Sequence, residues 1–118
     1  MVYDLINETP EVLPHFKGGE GEFIAAIHFD GLNKILRGTL PPGATIGRHT
    51  HENDSEIIYI LSGHGTVDDD GTLCPLKPGD CTYCPKGHAH SLMNTGEEDL
   101  VFLRWFRCNK KMTNVTEF

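Results

Sequence analysis

Four residues with metal-binding side chains fall at spacings that let them act together: His49, His51, Glu56 and His90. His49 and His51 are two apart. On an extended strand such residues project to the same face, about 7 Å apart along the chain, a workable bite for one ion. Glu56 follows a polar connection, Glu52-Asn53-Asp54-Ser55, and opens an apolar run from Ile57 to Leu61. If that connection forms a hairpin, Glu56 lies on the neighbouring strand, about 4.8 Å away, within reach of the same ion. A carboxylate inside a protein without a partner is strongly disfavoured, and a cation removes that difficulty. His90 comes from a later strand, after Pro85-Lys86-Gly87, and would complete the set. Three imidazoles and one carboxylate suit manganese, iron, nickel or zinc better than calcium or magnesium. On a six-coordinate ion they leave two positions open.

The elements that must position these residues read as β throughout. Glycines and prolines are spread along the chain and punctuate short apolar runs. The expected strands are Phe23–Phe29, Lys34–Leu40, Thr45–His51, Glu56–Leu61, Gly65–Asp68, Cys81–Cys84, His90–Met93 and Leu100–Phe106. Pro41-Pro42-Gly43 and Pro78-Gly79-Asp80 read as turns, and Asp70-Gly71 as a hairpin tip, because both residues tolerate positive φ. Residues 1–22 read as an N-terminal arm, 23–107 as the barrel and 108–118 as a C-terminal tail.

Two segments carry a family resemblance. Gly43 to Gly63, GATIGRHTHENDSEIIYILSG, resembles the first cupin motif, G(X)5HXH(X)3-4E(X)6G, at Gly43, His49, His51, Glu56 and Gly63. Gly79 to Asn94, GDCTYCPKGHAHSLMN, resembles the second, G(X)5PXG(X)2H(X)3N, at Gly79, Pro85, Gly87, His90 and Asn94. Every specified position is filled. The resemblance implies an all-β double-stranded β-helix, a jelly-roll barrel of six to eight strands with the ion in its mouth. It implies that His49, His51, Glu56 and His90 are the ligands of one divalent transition metal (Mn, Fe, Ni or Zn), and that Asn94 is structural. Retaining Glu56 argues against the thiol dioxygenases of the group.

Other candidates are weighed against that set. His88 has the right spacing from His90 but sits in a turn. His64 is expected to face solvent, and His15 and His28 to be surface or arm residues. Arg48 alternates with His49 and should point away from the ion. Arg37, Arg104, Tyr59, Tyr83 and Trp105 are the large polar or aromatic residues on expected strands. Which parity of Leu100 to Phe106 lines the barrel is left open. Cys81 and Cys84 form a CxxC, but residues three apart on a strand face opposite ways, and no second pair completes a zinc ribbon. The four cysteines are expected to be reduced thiols, buried or half-buried.

A net charge of −7 repels phosphate backbones and anionic lipid, which excludes nucleic acid and membrane as expected partners. No apolar run approaches the roughly 20 residues that cross a bilayer. The N-terminal residues lack the basic cluster of a signal peptide, so a cytoplasmic protein is expected. Asn114-Val115-Thr116 matches a glycosylation sequon, read as coincidence in that setting. The expected function is that of a metal-dependent enzyme on a small keto, hydroxy or carboxylate-bearing substrate, by dioxygenase, isomerase or lyase chemistry. Glu56 could serve as its base. The alternative is a non-catalytic small-ligand or metal-binding sensor. A homodimer is expected, because Ile57, Tyr59 and Leu61 make the Glu56 strand apolar on both faces.

Overall fold

The computed structural model describes residues 1–108. The expected C-terminal tail, with its sequon, lies outside the described residues except for Cys108. Ten strands form two antiparallel sheets: β1 (Glu11–Pro14), β2 (Glu22–Phe29), β3 (Asn33–Leu40), β4 (Thr45–Thr50), β5 (Asp54–Ser62), β6 (Gly65–Asp69), β7 (Thr72–Leu76), β8 (Cys81–Cys84), β9 (Ala89–Met93) and β10 (Leu100–Cys108). One sheet runs β1-β2-β3-β10-β5-β8 and the other β4-β9-β6-β7. This is the all-β jelly roll that the two motifs imply.

Alternation dictates the packing. In β3, Lys34, Leu36, Gly38 and Leu40 are buried and the residues between them are not. In β10 the buried parity is Phe102, Arg104 and Phe106, which settles the question left open by the sequence. Phe23, Leu36, Ile46, Ile58, Ile60, Leu92, Leu100 and Phe102 meet between the sheets as one core. Inward Gly38 makes room there: a β-carbon on it would lie 2.5 Å from the Phe23 ring and 2.7 Å from that of Phe102.

Two strands exceed the expected six to eight. β1 forms inside the arm and pairs with β2 from Glu11↔Ala25 to Pro14↔Glu22. β7 is the second arm of the Asp70-Gly71 hairpin, in which both tip residues have positive φ. Its Pro75 hid it in the sequence, yet proline is tolerated on an edge strand, and β7 is an edge.

The connection after β4 does not form the hairpin that would have put Glu56 on a neighbouring strand. β4 and β5 lie in different sheets, so residues 51–53 carry the chain across the barrel. The partner of β4 is β9, with His49 opposite His90. Thus Glu56 faces the histidines across the interior and not from a neighbouring strand.

Candidate metal centre

The pieces of the site arrive from both sheets. A register shift in the β4–β9 pairing lies between Ile46 and His49. Gly47 occupies this irregularity and packs on a 3₁₀ turn at Phe16–Gly18: a β-carbon on Gly47 would lie 1.9 Å from the Lys17 carbonyl oxygen. His51 lies just beyond β4. Its N–H donates to the His88 carbonyl at 2.9 Å and its carbonyl accepts from Gly87 N–H at 2.7 Å. Gly87 has φ of 88°, a left-handed value that glycine adopts without strain, so the Pro85-Lys86-Gly87 turn pins His51.

His49, His51, Glu56 and His90 converge, with one donor atom from each within 4.8 Å of all the others. Glu56 Oε2 is 2.7 Å from His51 Nε2, 3.1 Å from His90 Nε2 and 3.9 Å from His49 Nε2. The three rings stand 4.7–4.8 Å apart, tilted 67–76° to one another, like blades around a common point. Donors about 2.1 Å from one ion and at right angles to each other would be about 3 Å apart, which is the spacing of Glu56, His51 and His90. Two further observations fit an ion. His49 Nε2 is buried with no hydrogen-bond partner. His51 Nε2 and His90 Nε2 are 2.8 Å apart, closer than two lone pairs tolerate without a cation or proton between them. The cluster could hold a metal ion.

The surroundings prepare the donors. His49 Nδ1 donates to the Gly47 carbonyl at 2.7 Å, which turns the Nε2 lone pair inward. His51 Nδ1 is 2.9 Å from Asp54 Oδ1, and both residues are buried. Arg104 Nε donates to Glu56 Oε1 at 2.7 Å, and the two side chains are 1% and 0% exposed.

The charges follow from these contacts. Burial alone would raise Glu56, but the Arg104 guanidinium and the three imidazoles outweigh it and hold the carboxyl well below its usual range. Burial lowers His49, against the attraction of the Glu56 carboxylate and the hydrogen bond to the Gly47 carbonyl. Burial also works against a charged His51, yet Asp54 and Glu56 push it up to about 9. Lys34, on the same wall, is brought down to about 8 by burial, with Arg104 and Lys17 acting in the same direction.

The other candidates stay outside. His88 is exposed and paired with Asp70 at 3.1 Å. His64 and His15 are exposed. His28 is half-buried, stacked on Tyr3 and bonded to Glu8 at 2.7 Å. Arg48 points away from the cluster to Asp68, at 2.9 Å. Asn94 is buried and ties Leu40 and Glu98 carbonyls together, a structural role. Tyr59, Tyr83 and Trp105 face outward. All four cysteines are free thiols; Cys81 is exposed, contrary to expectation, because it has the outward parity of an edge strand. Cys84 is buried, and burial pushes its thiol up to about 12, which makes it inert.

Sequence reasoning missed Asp54, Lys17 and Lys34, and it named Arg104 without placing it. Asp54 sits three residues after His51, the one signal that could have marked it. Lys17 is far from the motifs, and its backbone packs on Gly47 of β4 through the 3₁₀ turn.

Comparison with known proteins agrees with this geometry. The cupin-domain family matches residues 36–106. An oxalate-binding protein of Thermotoga maritima is 40% identical over 101 residues, 80% of this chain and 84% of that protein. A germin-like protein of Morus alba is 34% identical over 83 residues, 63% of this chain but 40% of its own length. The crystal structure of a predicted oxalate decarboxylase from Thermotoga maritima superimposes with a TM-score of 0.87 at 37% identity, covering 92% of this chain and 99% of that one. KdgF from Halomonas sp. shares the fold at a TM-score of 0.75 and 19% identity. The family match takes in most of the β3–β10 ladder and all four clustered donors, and on that ground the chain belongs to the cupin family.

Proposed function

We propose that this chain is a metal-dependent cupin enzyme in which His49, His51, Glu56 and His90 hold one divalent transition ion, manganese, iron, nickel or zinc, and that its substrate is a small carboxylate-bearing molecule. The observation that carries the reading is the four-donor cluster with its orphaned His49 Nε2. The resemblance to a protein named for oxalate binding supports the substrate class. The ion would supply a Lewis acid with open positions for a small chelating ligand, which serves dioxygenase, isomerase or lyase chemistry alike.

The chain's own residues define the rest. Asp54 and the Gly47 carbonyl fix the His51 and His49 rings, so the donors are preorganised. Arg104 keeps Glu56 ionised and aimed at the imidazoles. Service as a base would require Glu56 to loosen that grip, so its main role here is that of a ligand. Buried Phe106 packs on the His51 ring, 5.6 Å between centroids, and limits water on that side of the cluster.

A non-catalytic binding role is the second reading, favoured by the relative being named a binding protein. Metal content by elemental mass spectrometry, before and after chelation, tests the centre: near one ion per chain supports it, and none taken up on addition sinks it. Turnover of oxalate and small keto or hydroxy acids by the loaded protein then separates enzyme from binding module.

We further propose that the protein acts in the cytoplasm as a homodimer. Among the described residues, no helix is long and apolar enough to cross a membrane. The outer face of the larger sheet presents Ile35, Ile57, Tyr59, Leu103 and Trp105 around one apolar depression, with Trp105 43% exposed. A second copy would cover it. Light scattering of Trp105→Glu, against the parent chain, would show a shift from dimer to monomer.

A further inference from the structure

We propose that the N-terminal arm is a strap that builds part of the surface on which a second copy of this chain docks, and that His28 is the clasp that holds it there. The inference rests on the homodimer reading above and gives the arm and His28 a part in it.

The clasp is the first observation. Phe23 and Ala25 of β2 point into the core, so Ile24, Ala26 and His28 have the outward parity. The Tyr3 ring stacks on the His28 imidazole, 3.7 Å between centroids and 16° between planes. His28 Nε2 lies 2.7 and 2.9 Å from the two carboxylate oxygens of Glu8. A turn brings both partners to one ring: the Asp4 carbonyl accepts from Glu8 N–H at 3.2 Å, and the Asp4 carboxylate accepts from the Asn7 amide at 2.9 Å. Ala26 points outward yet is only 5% exposed, because the strap covers it.

Leu5, inside that turn, is the second. On one side it lines a cavity of about 70 Å³ under the strap, together with Ile24, Ala26 and Arg37. On the other it lines the apolar depression of about 270 Å³ with Ile35, Ile57, Tyr59 and Trp105. The strap is therefore one wall of the depression, and the clasp keeps that wall in place. Ile35, Trp105, Ile57 and Tyr83 stand opposite one another on β3, β10, β5 and β8, so the apolar surface runs on from the depression to the edge strand.

Exposure then selects the occupant. Among the described residues, the exposed large apolar side chains other than Leu32 and Leu73 belong to the strap, to β1 or to the outward parity of β5, β8 and β10. Tyr59, Tyr83 and Trp105 are each about half exposed, which leaves on the order of 300 Å² of ring surface uncovered. Ile6 on the strap, 74% exposed, Val12 on β1 and Leu61 on β5 extend it. That is the apolar centre needed by an interface of standard size, about 800 Å² per partner. A two-fold partner needs only this one face, because the same patch meets itself, and one such face per chain closes a dimer with nothing left over.

The test uses the full chain. Sedimentation velocity over a dilution series reads the dimer dissociation constant, and the emission of Trp105, the one tryptophan of the chain, reads the face itself. The parent should be a dimer whose emission shifts to the red as dilution separates the copies. Tyr3→Ala combined with Glu8→Ala opens the clasp and changes no residue of the barrel. It is expected to raise the dissociation constant by at least about tenfold, with metal uptake equal to that of the parent. His28→Leu opens the clasp from the barrel side and should do the same. Tyr3→Phe keeps the stacked ring and should match the parent. A double variant that dimerises within about twofold of the parent would overturn the strap and leave the homodimer reading standing. A parent that is monomeric throughout would overturn both, and a blue shift of its Trp105 emission on adding phosphatidylcholine vesicles would give the face to lipid instead.

Discussion

Arg104 Nε and Glu56 Oε1 form a 2.7 Å charge-assisted hydrogen bond inside the barrel, and the carboxylate thereby turns its other oxygen toward three imidazoles. The pair joins two strands of one sheet, since β5 and β10 run side by side with Glu56 opposite Phe106 and Arg104 two residues away. It also joins packing to chemistry: the same carboxylate neutralises a buried guanidinium and closes the donor set.

Glu56→Gln should therefore do two separable things. Metal affinity should fall by at least about tenfold, because a charged donor is lost. Stability of the metal-free protein should drop by about 3–5 kcal/mol, because the Arg104 charge is left buried and unpaired. Adding Arg104→Met to Glu56→Gln should recover much of the stability and none of the metal binding. Denaturant unfolding and elemental analysis of the three variants check both halves.

Asp54→Asn removes the carboxylate behind His51 and none of the four donors. Metal affinity is expected to fall by about 10–100-fold with the fold intact. Equal metal affinity in parent and variant, measured by competition with a chelator, would show that His51 needs no such support.

The metal-free protein should lose stability as pH rises from 6.5 toward 8. His51 has an ordinary value of 6.5 and is pushed up to about 9 in the fold. The folded state thus holds its proton more tightly, and the stabilisation is fully present below pH 6.5 and lost as pH climbs through the folded value. The change over this window is at most about 2 kcal/mol. Above pH 8, Lys34, lowered from 10.5 to about 8, acts in the opposite direction, which bounds the clean interval. An ion competes with the His51 proton, so the rise in Tm on adding metal should grow across the same window. Thermal melts at constant ionic strength, with and without metal, provide the measurement.

Gly47→Ala should damage the centre without touching a donor. Its β-carbon would meet the Lys17 carbonyl oxygen at 1.9 Å and Gly19 N at 2.8 Å, both backbone atoms that cannot rotate away. Either the 3₁₀ turn or the β4 irregularity must shift, at about 1–3 kcal/mol. Because the Gly47 carbonyl fixes the His49 ring, metal affinity should weaken with it. A variant with unchanged Tm and metal content would show that the turn is not clamped against β4.

The sequence by itself determined which four side chains could serve as donors, the strand alternation and the turns. His49, His51, Glu56 and His90 were legible because two motifs hold them at fixed spacing, and Asp70-Gly71 because both residues tolerate the positive φ that a tight hairpin tip requires. Period-two alternation put Ile58 and Ile60 on the face of Glu56 for the same local reason. Only the tertiary structure decided what depends on how the two sheets meet. It placed Glu56 across the barrel from β4, because residues 51–53 change sheets, and no local pattern separates a hairpin from a crossover of that length. It chose the Arg104 parity of β10, where both faces carry large side chains and alternation alone is ambiguous. It brought Asp54 to the site through the pairing with His51, and it packed the 3₁₀ turn of Lys17 on Gly47 of β4. Spacing along one strand is a covalent property that a sequence carries, whereas the approach of one layer to another is set by the packing of the whole core.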